Sequence, residues 1–282
     1  MVNLVAWHDL VASSSCPSSF PRLRKLSVDF WPKLMFTPTR FPSLNALKYI
    51  YSNGKPIRLL VECNLASLTT VEVDECGELA FLPRGLVSGN NILRELMVYD
   101  CQNFKGFNPE QDPEELEKEQ VVSLGNNSLW RLDLYCPALF SWPDLQGFNS
   151  LIMLNIEGCR TQKCIPSGIE CLPKLESLTV GEFSEELDFF PFPVANIEVA
   201  KIGGHYFPSL RSLSIHGWSK LNCLPDQIQY ITSLQTLRIW RFHLLEALRH
   251  WLSNLTSLRE LGLNYCENLK YMPSQEKMLR LT

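Results

Sequence analysis

The chain has 282 residues, 45% of them hydrophobic and 20% charged, with a formal net charge of -4. That balance describes a globular chain with ample material for a core and excludes a disordered one. The mild acidity gives no electrostatic case for nucleic acid or for an anionic membrane surface, since both call for a basic patch. No apolar run approaches the roughly 18 residues that a membrane-spanning helix needs. The opening MVNLVAWHDLVASSSC has no basic leader, and His8 and Asp9 interrupt its apolar stretch, so a cytoplasmic chain is expected. Its 10 cysteines include no C-x-x-C pair, which argues for reduced thiols over a zinc site or a disulfide framework.

Residues 1–19 form a lead-in or partial coil. From there the phrase L-x-x-L-x-(L/V/I) recurs along the chain. It occurs at Leu23-Leu26-Val28, Leu44-Leu47-Tyr49, Leu68-Val71-Val73, Leu93-Leu96-Val98 and Leu129-Leu132-Leu134. It continues at Leu151-Leu154-Ile156, Leu175-Leu178-Val180, Leu210-Leu213-Ile215, Leu234-Leu237-Ile239 and Leu258-Leu261-Leu263. The first leucines are 21 to 25 residues apart except from Leu93 to Leu129 and from Leu175 to Leu210, which span 36 and 35. A fixed period of this length signals a repeat solenoid.

Within each unit the x-L-x-L-x stretch alternates, so its apolar residues share one face of a strand. A proline-bearing return follows, as at Leu82-Pro83, Trp142-Pro143, Ile165-Pro166, Leu224-Pro225 and Met272-Pro273; proline there ends the strand and turns the chain back. Segments such as 168–172 and 227–231 then make short helical or irregular arcs, whereas Asn53-Gly54-Lys55-Pro56 reads as a turn. One unit cannot bury its own apolar face, but stacked units share a continuous core. The expected fold is therefore an α/β solenoid of the leucine-rich-repeat kind, a horseshoe with a parallel sheet on its concave face and arcs on its convex face. The repeat domain should run over 20–282 with about ten repeats. Acidic residues fill one insertion near 108–122, and phenylalanine and proline fill a second near 184–206, which should pack along the solenoid or cap part of it.

Counting the first leucine as position one, position nine holds Cys76, Cys101, Cys159 and Cys266, with Cys136 one place early. Trp31, Phe183, Trp218 and Phe242 fill it in other units, so the column reads as a buried spine of thiols and rings. Leucines at positions four and six leave positions three, five and seven for the concave face. There the sequence places Glu72, Asp74, Tyr99, Arg131, Asp133 and Tyr135, followed by His216, Arg238 and Trp240. Tyrosine, tryptophan and arginine anchor interfaces because they join a large contact area to a polar handle. These nine residues are the candidate protein-binding surface.

The spellings FPRLRKLSVDFWPKL, FPSLRSLSIHGWSKLNCLPDQIQYITSLQTLRIW and LSNLTSLRELGLNYCENLKYMPS resemble repeats of plant intracellular nucleotide-binding, leucine-rich-repeat disease-resistance proteins of the coiled-coil class. The resemblance spans about Phe20 to Pro273. It implies a protein partner, either a pathogen effector or a guarded host protein, and an intramolecular nucleotide-binding domain held in check. The family's G-x-x-x-x-G-K-[ST] phosphate loop does not occur in these residues, so the chain corresponds to the repeat arm. No cofactor is expected. H-E-x-x-H, G-x-S-x-G and G-x-G-x-x-G are absent, and the five histidines are scattered, so the chain is expected not to be an enzyme. A repeat adaptor, for instance in a ubiquitin-ligase complex, is the alternative.

Overall fold

The computed structural model describes residues 20–38, 40–87, 91–107, 128–140, 142, 145, 147–193 and 206–272. The lead-in, the acidic insertion and 194–205 of the second insertion lie outside them. The chain divides into two compact units, Met1–Phe148 and Asn149–Thr282.

A five-residue strand forms on every leucine phrase, covering positions three to seven. In the first unit these are β1 (Lys25–Asp29), β2 (Ala46–Ile50), β3 (Thr70–Asp74), β5 (Glu95–Tyr99) and β7 (Arg131–Tyr135). Each pairs in parallel with the next, in register position by position, so that Leu26, Leu47, Val71, Leu96 and Leu132 line up. Two short strands on the returns, β4 (Phe81–Leu82) and β6 (Gly106–Phe107), pair in parallel as well. The second unit repeats the arrangement with β8 (Met153–Glu157), β9 (Ser177–Gly181), β10 (Ser212–His216), β11 (Thr236–Trp240) and β12 (Glu260–Asn264).

Burial follows the alternation. Positions four and six of the inner strands are buried, as are the first leucines Leu44, Leu68, Leu93, Leu129, Leu151, Leu175, Leu210 and Leu234. Each such side chain contributes about 1.5–3 kcal/mol, and because equivalents meet their neighbours in the next coil the dry interior is continuous within each unit. At the outermost described strands the core thins, with Leu23 just before β1, Leu26 within it, and Leu261 and Leu263 in β12 only half-buried.

The returns are mostly irregular, with 3-10 turns at Arg84–Leu86, Ile169–Cys171, Asp226–Tyr230 and His250–Asn254. One of them differs from its sequence reading. Asn53-Gly54-Lys55-Pro56 opens a ten-residue helix, α1 (Lys55–Asn64), with Gly54 at its N-cap and proline in its first turn. Proline suits that place because its fixed φ is helical and its missing N–H has no partner there anyway. The Asn53 side chain accepts from the Lys55 amide at 3.0 Å, and Ile57, Leu60 and Val61 bury at helical spacing. Asn64 ends the helix under cover, accepting from the Phe41 amide at 2.9 Å and donating to the Leu60 carbonyl at 2.7 Å.

Position nine is more than hydrophobic filling. The Cys76 thiol donates to the carbonyl of Asp74 in its own coil at 3.3 Å and faces that of Tyr49 in the coil before at 3.9 Å. Cys266 repeats this toward Asn264 and Ile239, and Ser52 repeats it toward Ile50 and Val28. A thiol or hydroxyl here satisfies carbonyls left over where the chain leaves the strand. Contact with Cys76, together with burial, raises the Cys101 thiol's pKa and holds it protonated, consistent with an inert structural role.

The residue before it, position eight, turns the chain out of the sheet. Phe30, Tyr51, Glu75, Asp100, Gly158, Glu182, Arg241 and Tyr265 all have left-handed φ between 45° and 65°. In that conformation the amide still reaches the next coil: Phe30, Tyr51, Glu75 and Asp100 donate to the carbonyls of Ile50, Asp74, Tyr99 and Tyr135 at 2.9–3.1 Å. Left-handed backbone costs a non-glycine residue about 1 kcal/mol or more, which these bonds offset. Within each unit the position-eight side chains consequently stand in a row along the strand-exit rim.

Candidate protein-recognition face

In the first unit the odd positions build one tightly coupled cluster. Asp133 sits at position five of β7, and its side chain is only 1% exposed. It keeps its place on the odd-position face, but Arg131 and Tyr99 close over the shorter carboxylate. The Arg131 guanidinium donates to Asp133 Oδ2 through Nε at 2.9 Å and through a terminal nitrogen at 2.7 Å. The Tyr99 hydroxyl donates to the same oxygen. Burial, reinforced by the bond to Asp133, pushes the Tyr99 phenol well above its ordinary range, and the bond to Asp133 raises Arg131. The arginine and the tyrosine are therefore the outer members of the cluster, with the carboxylate holding them. Tyr135 is half-buried and lies beside Tyr99 in the register.

Elsewhere on this face Glu72 pairs with Lys48 at 2.8 Å. Asp74 ends β3 half-buried, and burial raises its carboxyl pKa, helped by the like charges of Glu75, Asp100 and Glu72.

The second unit presents a different surface. Positions three and five of its strands carry mostly small or neutral residues, such as Ser177, Thr179, Ser212, Ser214, Thr236 and Gly262. Arg238 rises from this floor and pairs with Glu260 at 2.7 Å. Its stem lies beside Gly262, where an added Cβ would come within 3.3 Å of Arg238 Cγ. Along position seven the His216 and Trp240 rings stack at 5.5 Å and 18°, and Tyr265 joins at 6.1 Å from Trp240. His216 Nδ1 lies 3.3 Å from Glu157. Burial nevertheless holds the imidazole pKa below its ordinary value, with Glu182 opposing and Arg241 adding to the shift. At neutral pH the ring is thus uncharged.

Three of the nine candidates, Tyr99, Arg131 and Asp133, join in one cluster, and His216 and Trp240 join in another. Glu72, Asp74, Tyr135 and Arg238 make their own separate contacts. The rim was not singled out from the sequence. Glu182, buried, takes an ion pair from Arg241 and a longer one from Arg160 at 3.9 Å, over a cavity of about 210 Å³ lined also by Phe183 and Trp218. Beneath it the described part of the second insertion is packed down: Phe190 stacks on Trp218 at 5.6 Å and on Phe242 at 6.1 Å. Among the described residues no His, Cys, Asp and Glu group is arranged to hold a metal ion, and no helix is long and apolar enough to cross a membrane.

No protein-family model and no curated protein matches the chain. Among solved structures it is similar to the leucine-rich repeat domain of the type III effector XopL, with a TM-score of 0.54 and 21% identity, over 94% of this chain and 75% of that one. The fold is that of a leucine-rich-repeat solenoid with a parallel sheet.

Proposed function

We propose that the chain is a non-catalytic protein-recognition domain, the effector-sensing and autoinhibitory arm of a plant intracellular immune receptor working in the cytoplasm. In this reading 20–282 is one repeat domain, interrupted near 108–122 and 184–206. Its partners are a pathogen effector or guarded host protein and, within the same polypeptide, a nucleotide-binding domain. One observation carries the recognition role. The aliphatic residues at positions four and six of the inner strands are spent on the core, while Tyr99, Arg131, Tyr135, Arg238 and Trp240 stand on the other side of the same strands. Such residues dominate binding energy where they are held in place, as Asp133 holds Arg131 and Tyr99. The assignment to plant immunity rests on the likeness of the repeat phrases around Phe20, Phe207 and Leu252.

Sequencing the full transcript that encodes these residues tests the assignment. A G-x-x-x-x-G-K-[ST] module in the upstream reading frame is the expected result. An F-box-like helical segment there instead would refute the immune reading.

A further inference from the structure

The strand-exit rim of the first unit holds a feature that the sheet face does not use. Phe30 and Tyr51, on adjacent coils, meet in a tilted pair with ring centroids 5.3 Å apart and 40° between the planes, yet remain 63% and 48% exposed. Large paired rings left in water are an unfilled contact rather than a structural need. The turn itself wants a residue tolerant of left-handed backbone, as Gly158 shows at φ 65° in the second unit; at φ 60° and 45° the first unit places a phenylalanine and a tyrosine there.

The next two coils say what chemistry would complete the patch. Following Phe30 and Tyr51 along the rim come Glu75 and Asp100, both exposed, with Asp74 beside them at position seven. The Glu75 amide reaches the Tyr99 carbonyl at 3.1 Å, so these coils are immediate neighbours. Among the described residues no lysine or arginine lies within ion-pair distance of any of the three carboxylates; Lys48 acts on Asp74 only through space, its ion pair being with Glu72. The matching place in the second unit is closed, because Glu182 is buried and neutralised by Arg241.

We propose that the rim formed by Phe30, Tyr51, Asp74, Glu75 and Asp100 docks a basic segment of a protein partner, an apolar side chain seating on the two rings and a lysine or arginine lying over the carboxylates. Cation–π contact with Tyr51 links the two halves of the patch. This rests on the reading of the chain as a protein-recognition domain and adds a second surface, with a stated charge preference, to the sheet face.

The test titrates the whole 282-residue chain with a short fluorescein-labelled peptide alternating leucine and arginine, read by anisotropy. The expected result is saturable binding that weakens about tenfold in F30A/Y51A. In D74N/E75Q/D100N it weakens about fivefold at low salt and loses much of its ionic-strength dependence. Leucine–glutamate and glycine–arginine peptides should bind far less well. Neutralising E176Q/E185Q/E186Q in the second unit should change nothing. All the altered side chains in the two rim variants are partly or fully exposed, and circular dichroism verifies that each variant is folded. Equal affinity of both rim variants and the wild type, or equal weakening by the second-unit control, overturns the proposal. Replacing Tyr99, Tyr135, Arg238 and Trp240 should leave this titration unaltered, so a failing rim and a failing sheet face are told apart.

Discussion

The two units use one repeat to make surfaces of opposite finish. In the second unit the long polar side chains of the sheet face and of Glu182 are tied off: Arg238 on Glu260, Arg241 on Glu182, His216 against Glu157 and stacked with Trp240. In the first unit the Tyr99–Asp133–Arg131 cluster is equally well tied, but the rim is left with exposed rings and mutually repelling acids. The core does not distinguish the two, since both keep apolar side chains, aliphatic except for Tyr49, at positions four and six. A solenoid thus separates stability from specificity: each coil contributes the same leucines inward and is free to vary outward.

The largest expected break in this comparison is at Gly181, which has φ 144° and whose added Cβ would lie 2.0 Å from the His216 carbonyl oxygen. Gly181→Val should cost the second unit more than about 3 kcal/mol, measured by chemical denaturation, and should disturb the His216–Trp240 stack with it.

Next comes Asp133. Asp133→Asn removes the buried charge that Arg131 and Tyr99 share, and should cost about 2–3 kcal/mol. The Tyr99 titration should then fall back toward its ordinary value of about 10, read from ultraviolet absorbance by difference against Tyr99→Phe.

His216 should show in the pH dependence. Its folded pKa is depressed by burial, so its contribution is present above the unfolded value of about 6.5 and is lost as pH falls. On acidification below that value the wild type should lose stability faster than His216→Gln. Parallel slopes for the two proteins would remove the buried imidazole from the account. At the alkaline end the sign reverses: burial pushes Tyr49 up to about 12, so its contribution holds below about 10 and is lost as pH rises through that window.

The smallest effect sharpens the contrast at the rim. Asp74 has a raised folded pKa, so at neutral pH its charge works against folding, and Asp74→Asn should stabilise by a few tenths of a kcal/mol, up to about 0.5. An unchanged or lower melting temperature would mean that the acids are not repelling one another.

Much of this was legible in the residues. The period of two within each phrase set the strands, and all ten formed where the leucines placed them, because a one-residue slip would expose every core side chain. The thiol spine was legible in position, though its bonds to carbonyls were not, and neither was Ser52 as a member of it. Helix α1 was hidden because Asn53-Gly54 reads as a turn, while the burial of Ile57, Leu60 and Val61 against the core carried the segment into a helix. The rim was hidden for a different reason. Phe30, Tyr51, Glu182 and Arg241 carry no intrinsic preference for left-handed backbone, which comes from the amide bond to the neighbouring coil. Asp133 looked exposed because strand alternation fixes only direction; whether a short side chain is covered depends on the longer ones across the register, here Arg131 and Tyr99.

The most direct test of recognition through the odd positions is a fourfold alanine variant at Tyr99, Tyr135, Arg238 and Trp240, compared with the wild type by quantitative proximity labelling in plant cells. The account predicts that specific protein neighbours of the wild type fall at least about tenfold in the variant, with its circular dichroism spectrum and melting curve still those of a folded solenoid. An unchanged set of neighbours in a folded variant would contradict it.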